Sequence, residues 1–284
     1  MHQRLARMNG RRMRPTLPTA DGWYGDVVQD VELRVLEGEF VEEERRAVLD
    51  RAATAPTDPD AFVRWFEALE ATGPGQHDPL FPWLSAEATE EDVRWFLRQE
   101  VAGEAGFDDL VALSQLKLPE QAKLEMARNS WDEMGQGREA GMHGPMLARL
   151  AETLHLHDDD GADIVWESLA LGNLLIALAA NRRYAYHAIG VLGAIELTAP
   201  RRAGQVNAAL KRLGHDAHVR QYFALHATLD VKHSEAWNRE VLRPLVASQP
   251  RVARGLAEGA LMRLRAGARC FDRYRAELWG NRGQ

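Results

Sequence analysis

The chain has 284 residues, a formal net charge of −7, 45% hydrophobic residues and a single cysteine, Cys270. That length buries a large core, and the negative charge gives no field to attract phosphate backbones or an anionic membrane face, which excludes nucleic acid and membrane as expected partners. One cysteine excludes an internal disulfide framework and fits a reducing cytoplasm. Leucine and alanine recur throughout and strand-like alternation is almost absent, so the expected fold class is all-α.

In chain order, the first fourteen residues carry five arginines (Arg4, Arg7, Arg11, Arg12 and Arg14) with no apolar segment behind them. This is neither signal peptide nor anchor, and residues 1–20 are expected as a disordered basic tail. Residues 21–284 then form a single helical domain, with a metal-binding core over about 88–245 and extra N-terminal helices packed around it. GWYGDVVQDVELRVLEGEFVEEERRAVL predicts two helical stretches broken at Gly38. TDPDAFVRWFEALEATGPG predicts a helix capped by Thr57 or Asp58, and Pro79 and Pro82 predict an irregular connection after it.

SAEATEEDVRWFLRQEVAGEAGFDDL opens with a capping signal and reads as a long helix kinked at Gly103 and Gly106. Glu100 lies beside its apolar stripe, where a carboxylate needs a compensating cation, and Glu104 is the competing candidate one turn on. Next come Glu133 and His143, ten residues apart. A straight helix would separate them by about 15 Å, so Gly135 and Gly137 are expected to break it if the two side chains meet. HLHDDDGADIV (155–165) is rich in ligand types but reads as a solvated loop with a helix cap. LALGNLLIALAA, interrupted by Asn173, is a buried helix too short to span a bilayer.

Glu196 stands in the apolar run AIGVLGAIEL, where Gly190 and Gly193 permit close helix packing and Pro200 is expected to bend the chain. Finally, in ALHATLDVKHSEAW, His226, Asp230 and His233 fall at i, i+4 and i+7, on one face of a helix. Cys270, inside GARCFDRY, reads as a core thiol. The candidates Glu100, Glu133, His143, Glu196, His226, Asp230 and His233 supply four carboxylates, whose charge two divalent cations neutralise, and three imidazoles. That balance suits two Fe(II) ions with open positions for dioxygen. A ferritin-like site repeats Glu-x-x-His on two helices, and the sequence lacks that repeat.

The set Glu133-x9-His143, Glu196, His226-x3-Asp230-x2-His233 resembles the ligand pattern of the haem-oxygenase-like diiron oxidases and oxygenases. FDDLVALSQLKL followed by KLEMARNSWDEMGQG resembles, more closely, the bacterial iron-containing redox enzyme family, over roughly residues 88–245. The resemblance implies a bundle of about seven core helices and makes Glu133, His143, Glu196, His226, Asp230 and His233 iron ligands, joined from the first core helix by Glu100, with Glu104 close by. It implies two ferrous ions, dioxygen as cosubstrate, and oxidation of a small amino acid, amine or carboxylic acid by N-oxygenation, decarboxylation or oxidative cleavage. Asn129, Trp131 and Tyr222 are candidates to support the ligands. The alternatives are a metal-independent enzyme of the same fold, thiaminase-like or a cofactor-free oxidase, and a non-catalytic iron-binding protein; a homodimer is left open.

Overall fold

The computed structural model describes residues 1–17, 22–156 and 163–280. Among these there is no strand, only an isolated antiparallel bridge between Met134 and Met142, so the all-α expectation holds. The order is α1 (His2–Arg12), α2 (Trp23–Arg46), a short α3 (Leu49–Ala52), α4 (Pro59–Glu67), a short α5 (Leu69–Thr72), α6 (Leu80–Ala86), α7 (Glu90–Gly103), α8 (Phe107–Ser114), α9 (Glu120–Glu133), α10 (His143–Thr153), α11 (Trp166–Ala180), α12 (Ala185–Arg212), α13 (Gln221–Trp237), α14 (Arg243–Ser248) and α15 (Val252–Gly280). No helix among the described residues is long and apolar enough to cross a membrane.

Helix starts follow the local chemistry. The Asp58 side chain accepts from Ala61 N at 2.8 Å, with Pro59 in the first turn, and so caps α4. Thr89 and Asp92 form a reciprocal capping box at the start of α7. That helix ends at Gly103, and Gly106, with φ 75°, redirects the chain into α8, so the expected kink is a full break. The break expected at Gly38 does not occur. A Cβ at Gly38 would meet nothing within 4 Å, and α2 runs through it because a single glycine costs an exposed helix only about 1 kcal/mol.

Residues 2–12, expected within the disordered tail, are instead helix α1 docked on α11. Leu5 and Met8 are buried, the His2 ring stacks on Trp166 with centroids 5.5 Å apart, and Asn9 Nδ2 donates to Asn173 Oδ1 at 2.8 Å. Asn173 Nδ2 in turn donates to the His2 carbonyl at 2.9 Å. An eleven-residue helix is marginal alone in water, and α11 supplies the partner surface that makes it stable. The polar residue that interrupts the apolar run of α11 is therefore the one that receives α1. Residues 18–20 of that tail, and 157–162 of the expected solvated loop, lie outside the described residues.

At the centre, α12 packs on α15, α13 and α6, while α11 packs on α15, α7 and α8. Gly190 of α12 faces the backbone of Leu256, and Gly259 of α15 faces the backbone of His187, so closely that a Cβ at either position would strike main-chain atoms. Gly193 likewise makes room for Trp237, which is fully buried. The expected close packing at Gly190 and Gly193 is thus what forms. α12 is assigned as one helix through Pro200, whose missing N–H leaves the carbonyl of Glu196 without its usual partner four residues on.

Candidate metal centre

Glu133 is the last residue of α9 and His143 the first of α10. Between them lie two 3-10 turns, Gly135–Gly137 and Glu139–Gly141, with Gly135, Gln136 and Gly137 all at positive φ (63°, 54° and 80°). A Cβ on Gly135 would collide with the Gly141 backbone, so this crossing requires glycine. The reversal places Glu133 Oε2 2.6 Å from His143 Nδ1, both side chains buried. The departure from helix that the ten-residue spacing demands is what the glycines provide.

α13 adds His226, Asp230 and His233 from its common face, and α12 adds Glu196. Among the described residues, two groups have ligand atoms within 4.8 Å of one another: Glu133 with His143 and His226, and Glu133 with Glu196 and His233. Glu133 belongs to both. Asp230 is in neither group, but it is buried, lines the adjoining cavity and has an Oδ1 without a hydrogen-bond partner.

The surroundings orient these ligands. His226 Nδ1 lies 2.7 Å from the Tyr222 carbonyl oxygen, which accepts its proton and leaves Nε2 as the free lone pair. His233 Nε2 lies 3.2 Å from Asp132 Oδ2, turning Nδ1 toward Glu196 Oε1 at 3.5 Å. Asn129 Nδ2 donates to Glu196 Oε1 at 2.6 Å, so this candidate supporting residue does contact a candidate ligand. Trp131 does not share that role; its side chain is 51% exposed. Asp132 is a contact the sequence reading missed, although it stands beside Glu133 in the NSWDEMGQG run.

The donor set fits a metal. His143 Nδ1 and Glu133 Oε2 approach closely without hydrogen-bonding geometry, and His143 Nδ1 and His233 Nδ1 are both buried without a hydrogen-bond partner. Buried lone pairs that converge without a proton between them are unfavourable unless a cation compensates them. The titration shifts of Asp230 and His226 point the same way, while that of His233 reflects its carboxylate partners. Burial, followed by the charges of Glu196 and Glu133, holds the Asp230 carboxyl well above its ordinary value. Burial drives His226 down to about 4, leaving the neutral imidazole that a metal requires. His233 is opposed by burial, yet interaction with Glu196 and Asp132 raises it to about 9.

A cavity of about 190 Å³ adjoins these groups. Glu133, His143, Glu196, His226 and Asp230 line it together with Tyr222, Phe96, Leu171, Ile195 and Phe223. Glu100 and Glu104, one turn apart, both face it but keep different company. Burial raises the Glu100 carboxyl, against the opposing pull of Arg202, Arg263 and the Tyr274 hydroxyl. Burial also raises Glu104, which accepts from Gly106 N at 2.7 Å and Phe107 N at 3.2 Å and is pushed further up by Asp108 and Glu133. Glu100, the expected first-core-helix ligand, thus sits among arginines, and it is Glu104 that feels Glu133. Cys270 is a core thiol as expected, pushed up to about 12 by burial and then by Glu100.

A search of curated proteins finds no match to the chain. A family model described as iron-containing redox enzyme matches residues 94–268, more than half of the sequence and a span that contains every candidate ligand. The match extends past the expected limit of 245 to take in most of α15. With its all-helical, haem-oxygenase-like bundle, the chain belongs to the iron-containing redox enzyme family.

Proposed function

We propose that this protein is a non-haem dinuclear iron enzyme that uses dioxygen to oxidise a small organic substrate bound in the cavity beside Glu133. The observation that carries the reading is the sharing of Glu133 between two groups of potential ligands, the arrangement a bridging carboxylate needs between two ions. His143 and His226 would complete one position, and Glu196 and His233 the other. Asp230 and Glu104 stand ready as further carboxylates, Glu104 in preference to Glu100. Two ferrous ions held there would supply the electrons for reducing dioxygen.

The chain's own part is geometric and electrostatic. Tyr222 and Asp132 fix the faces of His226 and His233, and Asn129 fixes Glu196. Phe96, Leu171, Ile195 and Phe223 line the space beside the ligands, leaving an apolar chamber from which bulk water is displaced when substrate enters. A metal-independent, thiaminase-like route through a thiol finds no support, because Cys270 is buried and its proton is held tightly.

Anaerobic titration of the metal-free protein with ferrous iron tests the reading. Two equivalents per chain are expected, with loss of both in Glu133→Ala and of one in Glu196→Ala, and an absorption band should develop when the loaded protein meets oxygen in a stopped-flow cell. Saturation at one equivalent that Glu133→Ala leaves intact would overturn the dinuclear proposal.

A further inference from the structure

The cavity has a second charged end that the ligand set does not use. Arg202 of α12 and Arg263 of α15 both line it. The Arg202 guanidinium lies 5.5 Å from the Phe271 ring centroid and donates to Thr198 Oγ1 at 2.9 Å. Arg263 has Nε and Nη1 buried without any hydrogen-bond partner. Among the described residues neither arginine forms a close ion pair, although Arg45, Arg254 and Arg269 nearby on the surface of the bundle all do. The carboxylate acting on both is Glu100, already engaged by the Tyr274 hydroxyl. Two guanidinium charges against one carboxylate leave this end with an excess positive charge in an apolar setting, a costly state that a bound anion relieves.

We propose that Arg202 and Arg263 form a carboxylate-binding subsite, and that the substrate is a monocarboxylic acid with an apolar body lying along the cavity toward Glu133. Guanidinium forks match a carboxylate in shape and charge, and do so best where water is excluded. The cavity walls also include Leu171, Leu175 and Ile195, which suit a hydrocarbon chain and offer nothing to a polar one. An amine head would face two like charges.

Glu196 and Arg202 are six residues apart on α12, a backbone rise of about 9 Å, so the two charged groups stand at different levels of the same helix. This assignment rests on the reading of the cavity as the substrate site, but not on the presence of iron.

Calorimetric titration of the metal-free protein, in the presence of a chelator, separates the possibilities with octanoate, 1-octanol, octylamine and 2-aminooctanoate as probes. Octanoate is expected to bind at least ten-fold more tightly than the other three. Arg263→Met and Arg202→Met should each weaken it at least ten-fold, while Glu100→Gln, which removes the competing carboxylate, should strengthen it. That last direction cannot arise from damaged folding. Equal binding of octanoate and 1-octanol, or weakening by Glu100→Gln, would overturn the subsite, and tighter binding of 2-aminooctanoate would replace it with an amino-acid head site. Ferrous titration of the unsubstituted protein, set beside its octanoate titration, keeps the two readings apart. Two irons without octanoate binding would sink the subsite alone, and arginine-dependent octanoate binding in a protein that takes up no iron would sink the dinuclear site alone.

Discussion

His233 holds Asp132 with one ring nitrogen, 3.2 Å away, and turns the other toward Glu196 at 3.5 Å, so a residue of α9 fixes the aim of a residue of α13. Replacing Asp132 by asparagine keeps the size of the side chain and removes its charge. Loss of such a supporting carboxylate weakens metal retention about 10–100-fold. Competition with a chromogenic chelator should show Asp132→Asn releasing one iron faster than wild type, with the other little changed. Equal retention of both would mean that Asp132 does not orient the ligand.

Asp230→Ala should reduce iron uptake steeply and abolish the oxygen-dependent band, while helical content by circular dichroism stays near wild type. The metal-free protein should become more stable at neutral pH, because the carboxyl it loses is held against its preference by burial and by Glu196 and Glu133. His155→Ala, at the edge of the acidic run between α10 and α11, should change none of these properties. Equal iron loss in both variants would show that composition, and not position on the α13 face, marks the ligands.

Gly135→Ala should disable the site through the backbone. Its φ of 63° and its contact with Gly141 leave no space for a methyl group, so the turn must open and His143 must leave Glu133. Loss of iron binding is expected along with destabilisation on the order of 1–3 kcal/mol, measured by urea unfolding. Gly144→Ala, nine positions on and with nothing within 4 Å of its would-be Cβ, is the control and should bind iron normally.

Away from the site, Glu258 of α15 joins three helices. It lies 2.9 Å from His187 of α12, 2.8 Å from Arg254 of its own helix and 3.3 Å from Arg45 of α2. Burial opposes its ionisation, yet these partners lower its carboxyl to about 2. A depressed acid stabilises the fold above its ordinary value near 4.5, and the contribution fades as pH falls from there toward 2. Glu258→Gln should therefore cost on the order of 2 kcal/mol at pH 7, and the gap to wild type should close over that acidic interval in thermal melts. A gap independent of pH would assign the loss to packing.

The face of α13 and the break between α9 and α10 were both legible in the sequence, because each depends on spacing within a few turns of one segment. Helical periodicity alone aligns His226, Asp230 and His233, and the glycines at 135 and 137 announce the reversal. The choice between Glu100 and Glu104 was not legible. Both face the cavity, and what separates them is the arrival of Arg202 and Arg263 from helices about a hundred residues or more away. Helix α1 was hidden for a similar reason: Leu5 and Met8 offer too little apolar surface by themselves, and the asparagine that receives them is on α11. Asp132 had a visible signal, an acidic neighbour directly before Glu133 at the end of a helix, but its partner His233 lies 101 positions on.

The crossing of α12 and α15 at Gly190 and Gly259 acts as a fixed gauge for the chamber. Glu196 and Arg202 ride on one of these helices and Arg263 on the other, and where they cross the two backbones touch with only glycine hydrogens between them. The position of the Glu196 backbone relative to that of Arg263 is therefore set by main chain against main chain. Mutations in the cavity wall can alter width and polarity, but moving Glu196 relative to the backbone of Arg263 would require one helix to slip along the other.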